Sequence, residues 1–130
     1  MKVGVLASGR GSNFQSMVDH VSLGVLRGVE LSVLISNKQT APAIEIAQNN
    51  DIKALYIPYV RKRGLSKEES RRRHDQRIIT ALQNRGVELV VLAGYMRLLS
   101  PQFIDTYPNR IMNIHPSLLP KHPGLHVHQQ

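Results

Sequence analysis

The sequence predicts an α/β fold in which helices cover both faces of an open parallel sheet. Short apolar segments alternate with longer segments whose apolar residues recur at helical spacing. This alternation is typical of parallel strands joined by crossover helices. The chain contains no internal repeat, low-complexity segment or linker, and its 130 residues suit one domain. We therefore expect residues 1–130 to form a single domain.

Five segments have the composition of buried strands. Each is short and apolar, and most are followed at once by turn formers or by proline. The predicted strands are residues 2–7, 29–35, 54–57, 87–93 and 110–114. Because the strands alternate with helices, they indicate a sheet of the open, doubly covered kind that is called Rossmann-like.

Four segments are predicted to be helical, and three of them have recognisable starts. Ser12 with Gln15 fits a capping box, so the first helix begins near Ser12. Thr40 can cap the second helix, with Pro42 in its first turn. The third helix is long, spanning residues 66–84, and a short fourth helix starts at Ser100-Pro101.

The charge balance favours anionic partners. The formal net charge is +8 and the sequence pI is about 10.3, which suits phosphates, carboxylate-rich cofactors or nucleic acid. Much of the charge lies between Arg61 and Arg77, where eight basic residues are offset by three acidic ones. The same run also fits a solvated helix face with its preceding loop. No aromatic residue is interleaved with it, so nucleic acid is the weaker interpretation.

The composition also limits the cellular compartments in which the protein is expected. The absence of cysteine excludes disulfides and thiolate chemistry and fits a reducing compartment, so we expect a cytoplasmic protein. No apolar run is long enough to cross a membrane. A short apolar run follows Lys2, but the glycine-bearing turn at residues 8–13 comes at once, which favours a first strand over a signal peptide.

The turn at residues 9–13 is a candidate phosphate site, centred on Gly11, Ser12 and Asn13. Glycine lets the backbone approach an anion, and a helix N-terminus offers free N–H groups. A tight turn that needs glycine is the alternative. The third glycine of a dinucleotide fingerprint is replaced by Phe14, so one phosphate fits better than a pyrophosphate.

The loop after the fourth strand is a candidate wall for a flat heteroaromatic ligand. Gly94 permits a sharp exit from the strand. Backbone groups and side chains of the next residues can then line a pocket; they are Met96, Arg97, Leu98 and Leu99. A hydrophobic strand-to-helix loop is the alternative interpretation.

Asn113 and His115 form a candidate catalytic pair at the end of the fifth strand. Residues two apart on an extended chain point to the same side, and ligands of open parallel sheets bind outside the carboxyl ends of the strands. The alternative is a structural histidine that caps the strand. Three further histidines resemble metal ligands, but Pro123 and Gly124 interrupt their spacing, so no metal site is predicted and a surface loop is expected. These three are His122, His126 and His128.

Taken together, four segments resemble the phosphoribosylglycinamide formyltransferases of purine synthesis. They are residues 8–13, 35–38, 92–97 and 113–120, in the order and approximate spacing of that family. The resemblance covers essentially the whole chain. It implies the formyltransferase N-terminal fold, a nucleotide-binding domain, and transfer of a formyl group from 10-formyltetrahydrofolate to the amine of glycinamide ribonucleotide, without a metal.

The resemblance also implies residue roles. Gly11, Ser12 and Asn13 would hold the ribonucleotide phosphate. Folate contacts would come from Arg71, Met96, Arg97, Leu98 and Leu99. Asn113 would bind the formyl oxygen, and His115 would be the catalytic acid. A formyltetrahydrofolate hydrolase and a non-catalytic ligand-binding fragment are the alternatives.

One departure from the family concerns the end of the chain. In the family, an aspartate a few dozen residues beyond the histidine motif raises the pKa of the histidine, and this chain stops at Gln130. We therefore expect a chain that lacks the family's C-terminal part and catalyses poorly alone. The missing strands would leave an unpaired sheet edge, so self-association into a homo-oligomer is also expected.

Overall fold

A computed structural model describes residues 1–9, 11–24 and 27–114 and the backbone of residues 126–127. The strands in these ranges are β1 (Lys2–Ala7), β2 (Glu30–Ser36), β3 (Lys53–Tyr56), β4 (Leu89–Leu92), β5 (Ile111–Asn113) and β6 (His126–Val127). The helices are α1 (Ser12–Ser22), α2 (Pro42–Asn49), α3 (Lys67–Asn84) and α4 (Pro101–Thr106). The predicted strands lie within one or two residues of these bounds.

The strands form one sheet with the order β3-β2-β1-β4-β5-β6. All pairs from β3 to β5 are parallel, which confirms the predicted α/β fold with a parallel sheet. The short β6 pairs antiparallel with β5 and was not predicted. His126 lies in β6, so the surface loop expected around it was wrong at this position; two residues are too few to give a recognisable alternation.

Helices cover both faces of the sheet, as predicted. Successive residues of β1 point to opposite sides. Val5 belongs to the core that contains Phe14 of α1, whereas Leu6 belongs to the core that contains Ile78 and Leu82 of α3. All five side chains are fully buried. None of the helices in the described ranges has the length and apolarity needed to cross a membrane.

Side chains of Leu82 in α3 and of Val87 lie close to the backbone of β1 at Gly4. A Cβ atom there would lie 2.5 Å from Cδ2 of Leu82 and 3.2 Å from both methyl carbons of Val87. A larger residue at this position would require the side chains of Leu82 and Val87 to shift. Glycine therefore allows these side chains to pack directly against the backbone of β1.

Two helices begin at their predicted starts, and each start is capped by a serine. The Ser66 hydroxyl accepts a hydrogen bond from the Glu69 backbone N–H at 3.0 Å, and Ser100 accepts one from Phe103 at 3.2 Å. These bonds satisfy amide groups that the first turn of a helix leaves free.

The other two helix starts differ from prediction. α1 begins at Ser12 as expected, but the capping box was wrong. Gly11 occupies the cap position with φ 88°, and because glycine has no side chain it cannot form the cap bond. The side chain of Gln15 donates to Asp19 at 2.9 Å. Ala41, rather than Thr40, precedes α2, although Pro42 lies in the first turn as predicted.

Candidate functional site

The sheet order places a crevice at the carboxyl ends of β1 and β4. From β1 the chain runs outward through β2 and β3, and then returns to place β4 on the other side of β1. Ligands of open α/β sheets bind at such a point, because the two connections leave in opposite directions. Ser8 and Gly9 follow β1 here, and Gly94 follows β4 shortly after its end.

Ser8 ties three loops together at this crevice. Its backbone N–H donates to the Gly94 carbonyl at 3.3 Å. Its hydroxyl donates to Oδ1 of Asn37 at 2.7 Å and accepts from the Met96 backbone N–H at 3.0 Å. Ser8 is almost fully buried, so these bonds fix the ends of β1, β2 and β4 relative to one another. No role was predicted for Ser8, although a serine that closes an apolar strand was a visible sequence feature.

The predicted phosphate-binding residues lie at the open N-terminus of α1. Gly11 packs against the start of α2, where an added Cβ would lie 3.0 Å from the Ala43 nitrogen. Among the described residues no side chain caps this end, and the first turn carries no acidic residue. The first N–H groups therefore lack partners from the preceding turn, and the helix dipole is positive here. This arrangement suits a bound anion.

Asn13 connects this N-terminus with the end of β5. Its Nδ2 donates to the Ile114 carbonyl at 3.4 Å. Its Oδ1 is buried and has no hydrogen-bond partner among the described residues. Gly94 lies alongside, since an added Cβ there would be 3.7 Å from Nδ2. The phosphate-site candidate and the end of β5 are therefore neighbours.

Asn113 is the last residue of β5 and is half-buried. The sheet register aligns it with Leu92 of β4 and with His126 of β6. Asn113 therefore lies at the carboxyl ends of the strands, close to Asn13 and Gly94. His115, the predicted partner of Asn113, lies outside the described residues, as do His122 and His128.

A strongly cationic pocket lies on the same side of the molecule, beside the loops that follow β3 and β4. It has a volume of about 280 Å³ and is lined by Tyr59, Arg61, Lys67, Arg71 and Arg97. Arg71 and Arg97 come from different segments that were both predicted to contact the folate, and the structure brings them into one pocket. No carboxylate is among these lining residues, so the pocket suits an anionic ligand.

Two of these arginines have unsatisfied donors. The Arg97 guanidinium lies over the ring of Tyr59, with 3.6 Å from Cζ to the ring centroid. The Nε atoms of Arg71 and Arg97 are both buried and lack a hydrogen-bond partner within the described ranges. A buried donor without a partner is costly, and carboxylates bind guanidinium groups in a bidentate manner. The pair of arginines therefore favours a carboxylate ligand.

The other loop residues divide between solvent and core. Met96 is 77% exposed and Leu98 is 72% exposed, so together they present apolar surface beside the pocket. Leu99 instead packs against the core shared by α3 and α4. Leu99 therefore contributes to the core rather than to the pocket.

His74 and Asp75 support the cationic pocket from α3, and no role was predicted for them. Nε2 of His74 lies 2.9 Å from the Ile57 carbonyl, at hydrogen-bond distance. The ring of His74 meets that of Tyr59 edge-on, with 5.7 Å between centroids. Burial lowers the pKa of His74, while the Ile57 carbonyl and Asp75 partly offset this effect. His74 and Asp75 lie four residues before Ile78 and Ile79, which face inward from the same helix. This helical spacing is the sequence feature that indicates the burial of His74 and Asp75.

The described residues contain no cluster of three or more histidine, cysteine, aspartate or glutamate side chains that could hold a metal ion.

Comparison with known proteins gives a consistent result. Residues 1–130 match the family model described as formyl transferase. The chain is 40% identical over 130 residues to the phosphoribosylglycinamide formyltransferase of Escherichia coli (strain K12), covering 100% of this chain and 58% of that protein. The structure of the Coxiella burnetii phosphoribosylglycinamide formyltransferase matches with a TM-score of 0.76 and 35% identity, covering 94% of this chain and 54% of that chain.

A formyltetrahydrofolate deformylase from Pseudomonas putida KT2440 shares the fold, with a TM-score of 0.72 and 23% identity over 88% of this chain and 37% of that chain. The chain thus spans somewhat more than half the length of the two formyltransferases.

Proposed function

The chain belongs to the formyl transferase family, and from this premise we propose that it transfers a formyl group from 10-formyltetrahydrofolate to the amine of glycinamide ribonucleotide in purine biosynthesis. The similarity to the Escherichia coli phosphoribosylglycinamide formyltransferase supports this choice of acceptor. The observation that carries the proposal is the pairing of Arg71 and Arg97, whose buried Nε atoms lack partners among the described residues.

The folate would bind with its carboxylates in the cationic pocket. Folates join a flat pterin ring to a tail that ends in carboxylates. Arg71 and Arg97 would bind these carboxylates, with Tyr59 holding the Arg97 guanidinium in place. Met96 and Leu98 would supply apolar surface for the ring system.

The ribonucleotide would bind with its phosphate at the start of α1. Gly11, Ser12 and Asn13 surround the uncapped helix end, where free N–H groups and the helix dipole favour an anion. The two substrates would then meet between the ends of β1, β4 and β5. Asn113 lies at that point.

The chemical step needs an oxyanion donor and a route for one proton. The amine nitrogen attacks the formyl carbon, the new N–C bond forms, and the bond from that carbon to the folate nitrogen breaks. One proton moves from the amine to the departing nitrogen. Asn113 would donate its amide N–H to the oxygen on which negative charge develops. His115, outside the described residues, is proposed as the acid.

Folate binding is tested with two arginine variants of the same helix. We expect Arg71→Gln to weaken binding of 10-formyltetrahydrofolate by roughly tenfold to a hundredfold, measured by isothermal titration calorimetry. Arg72→Gln is the matched control, because the Arg72 side chain is 63% exposed and pairs with Glu69. Equal affinities for the two variants would contradict the folate pocket.

Turnover distinguishes the three candidate functions. Tetrahydrofolate that forms only in the presence of glycinamide ribonucleotide would support the transferase, whereas its formation without the amine would support the hydrolase. Binding of both ligands without turnover would support a binding fragment. For the transferase, Asn113→Ala should lower the rate by roughly a hundredfold to a thousandfold and leave folate affinity unchanged.

A further inference from the structure

A second cavity lies on the other side of the segment that walls the cationic pocket. Tyr59 and Arg61 line the cationic pocket, whereas Val60 and Lys62 line this second cavity. Its volume is about 380 Å³, within the range of small-molecule sites, which is roughly 300–1,000 Å³. The two cavities share no lining residue, so the second one is a separate site.

The lining of the second cavity combines an apolar surface with cations. Val60 and Leu65 contribute aliphatic groups, and Lys62, Arg73 and Arg77 contribute positive charges. No carboxylate is among the lining residues. An occupant with an apolar body and a negative charge therefore complements this lining.

The existing contacts of the two arginines leave donors available. Nε of Arg73 lies 4.0 Å from a Glu69 carboxylate oxygen, and Nη1 of Arg77 reaches the Pro58 carbonyl only at 3.5 Å. A guanidinium group has five N–H donors. Each arginine can therefore bind an anion without giving up its present contact.

A buried hydroxyl lines the same cavity. Ser70 is 2% exposed, and its Oγ has no hydrogen-bond partner among the described residues. Buried polar groups are nearly always paired with protein, water or a ligand. Because Ser70 belongs to the lining, its hydroxyl is available to a polar group of an occupant.

We propose that the second cavity binds a small amphipathic monocarboxylate. Its apolar ring or chain would lie against Val60 and Leu65, and its carboxylate would face Lys62 and Arg73. This inference does not depend on the proposed function, because it concerns binding at residues that the folate and ribonucleotide sites do not use.

Occupancy of the second cavity is expected to reach the cationic pocket through His74. His74 lines the second cavity, and its ring contacts Tyr59 edge-on. Tyr59 in turn holds Arg97. A bound carboxylate should therefore shift the ring resonances of Tyr59 as well as the amide resonances of the cavity lining.

The test is a titration of the ¹⁵N-labelled chain with 4-phenylbutyrate, followed by NMR. We expect saturable shifts at Val60, Leu65 and Ser70 with millimolar or tighter affinity. The neutral analogue 4-phenylbutan-1-ol should bind at least roughly tenfold more weakly, because it lacks the charge. The absence of saturable shifts, or equal binding of the two compounds, would overturn the proposal.

Two matched double variants locate the charge. Lys62→Gln with Arg73→Gln should weaken 4-phenylbutyrate binding by roughly tenfold or more. Arg63→Gln with Arg72→Gln removes the same charge from neighbouring exposed positions outside the lining, and each pair loses one contact to Glu69. Equal affinities for the two pairs would overturn the proposal, while folding of both is checked by the dispersion of their amide resonances.

Discussion

Asp75 accepts a hydrogen bond from the Ser100 backbone N–H, with 2.6 Å between Oδ2 and the nitrogen. Both residues are 1% exposed. Ser100 also caps α4, so a single carboxylate joins α3 to the end of the loop that contains Arg97. The cationic pocket therefore has one wall anchored by Asp75 and the other by the contact of His74 with Tyr59.

Replacement of Asp75 should destabilise the fold. Asp75→Ala leaves the buried Ser100 N–H unpaired, so we expect the free energy of unfolding to fall by about 1–3 kcal/mol. Asp75→Asn keeps an oxygen that can accept the bond and should lose less. Urea denaturation followed by circular dichroism measures both variants, and equal losses would contradict the role assigned to the hydrogen bond.

Stability should fall as the pH drops below the ordinary pKa of histidine. Burial lowers the pKa of His74 from 6.5 in the folded state; Arg97 and Arg77 act in the same direction, while Asp75 and the Ile57 carbonyl oppose it. Between the folded and unfolded pKa values the unfolded chain binds more protons, so the free energy of unfolding rises with pH. The stability that neutral His74 contributes is therefore fully present above the pKa that the histidine has in the unfolded chain. It is lost as the pH falls below this value towards the pKa of the folded state.

The pH effect is measured by urea denaturation at about pH 7.5 and about pH 5.5, on either side of the unfolded pKa. The loss of stability between these conditions should be smaller in His74→Gln than in the unmodified chain. All other ionisable groups are common to both proteins, so the difference isolates His74. An identical loss in both would show that His74 does not titrate differently in the folded state.

A pair of glycines separates backbone strain from crowding. Gly11 and Gly64 have similar φ values, 88° and 86°, but an added Cβ would meet the Ala43 nitrogen at 3.0 Å in the first case and nothing within 4 Å in the second. Gly64→Ala should therefore cost about 1–2 kcal/mol for the left-handed backbone alone. Gly11→Ala should cost at least about 1 kcal/mol more.

Thermal or urea denaturation of both glycine variants gives this comparison. Equal costs would mean that α2 moves away from Gly11 without penalty.

Removal of the Ser8 hydroxyl should loosen the loop after β4. Ser8→Ala removes the acceptor of the Met96 N–H, so hydrogen exchange at that amide should become roughly tenfold faster. Ser22→Ala, an exposed change at the end of α1, is the control. Unchanged exchange at Met96 in the Ser8 variant would contradict the role of Ser8 as a link between the loops.

The sequence predicted the parts of the fold that depend on local patterns. The apolar run of β1 and the start of α3 near Ser66 depend on local features, and both were placed correctly. The cap at Gly11 was missed because Ser12 and Gln15 have the composition of a capping box, whereas the left-handed backbone that places Gly11 at the cap position is not visible in the sequence pattern. β6 has only two residues, which are too few to show the alternation of apolar and polar residues that predicts a strand.

The sequence indicated individual residues of the candidate site, but it did not indicate the contacts between them. Arg71 and Arg97 were named from a resemblance, yet the stacking of Arg97 on Tyr59 joins residues that are distant in sequence, and no spacing rule reports such a pair. The same holds for Asp75 and Ser100. The substrate roles of all the site residues remain proposals, and the single domain, the cytoplasmic location and self-association remain predictions.

The central position of β1 has a consequence for biosynthesis. Its partner on one side is β4, and Val3 pairs with Leu89, 86 residues later (89 − 3). At a synthesis rate of about 5–20 residues per second, this interval lasts roughly 4–17 seconds. During that time β1 lacks its partner on one side, so backbone groups along that side of β1 are unpaired. An unpaired strand of this kind makes the nascent chain prone to aggregation until β4 has been synthesised.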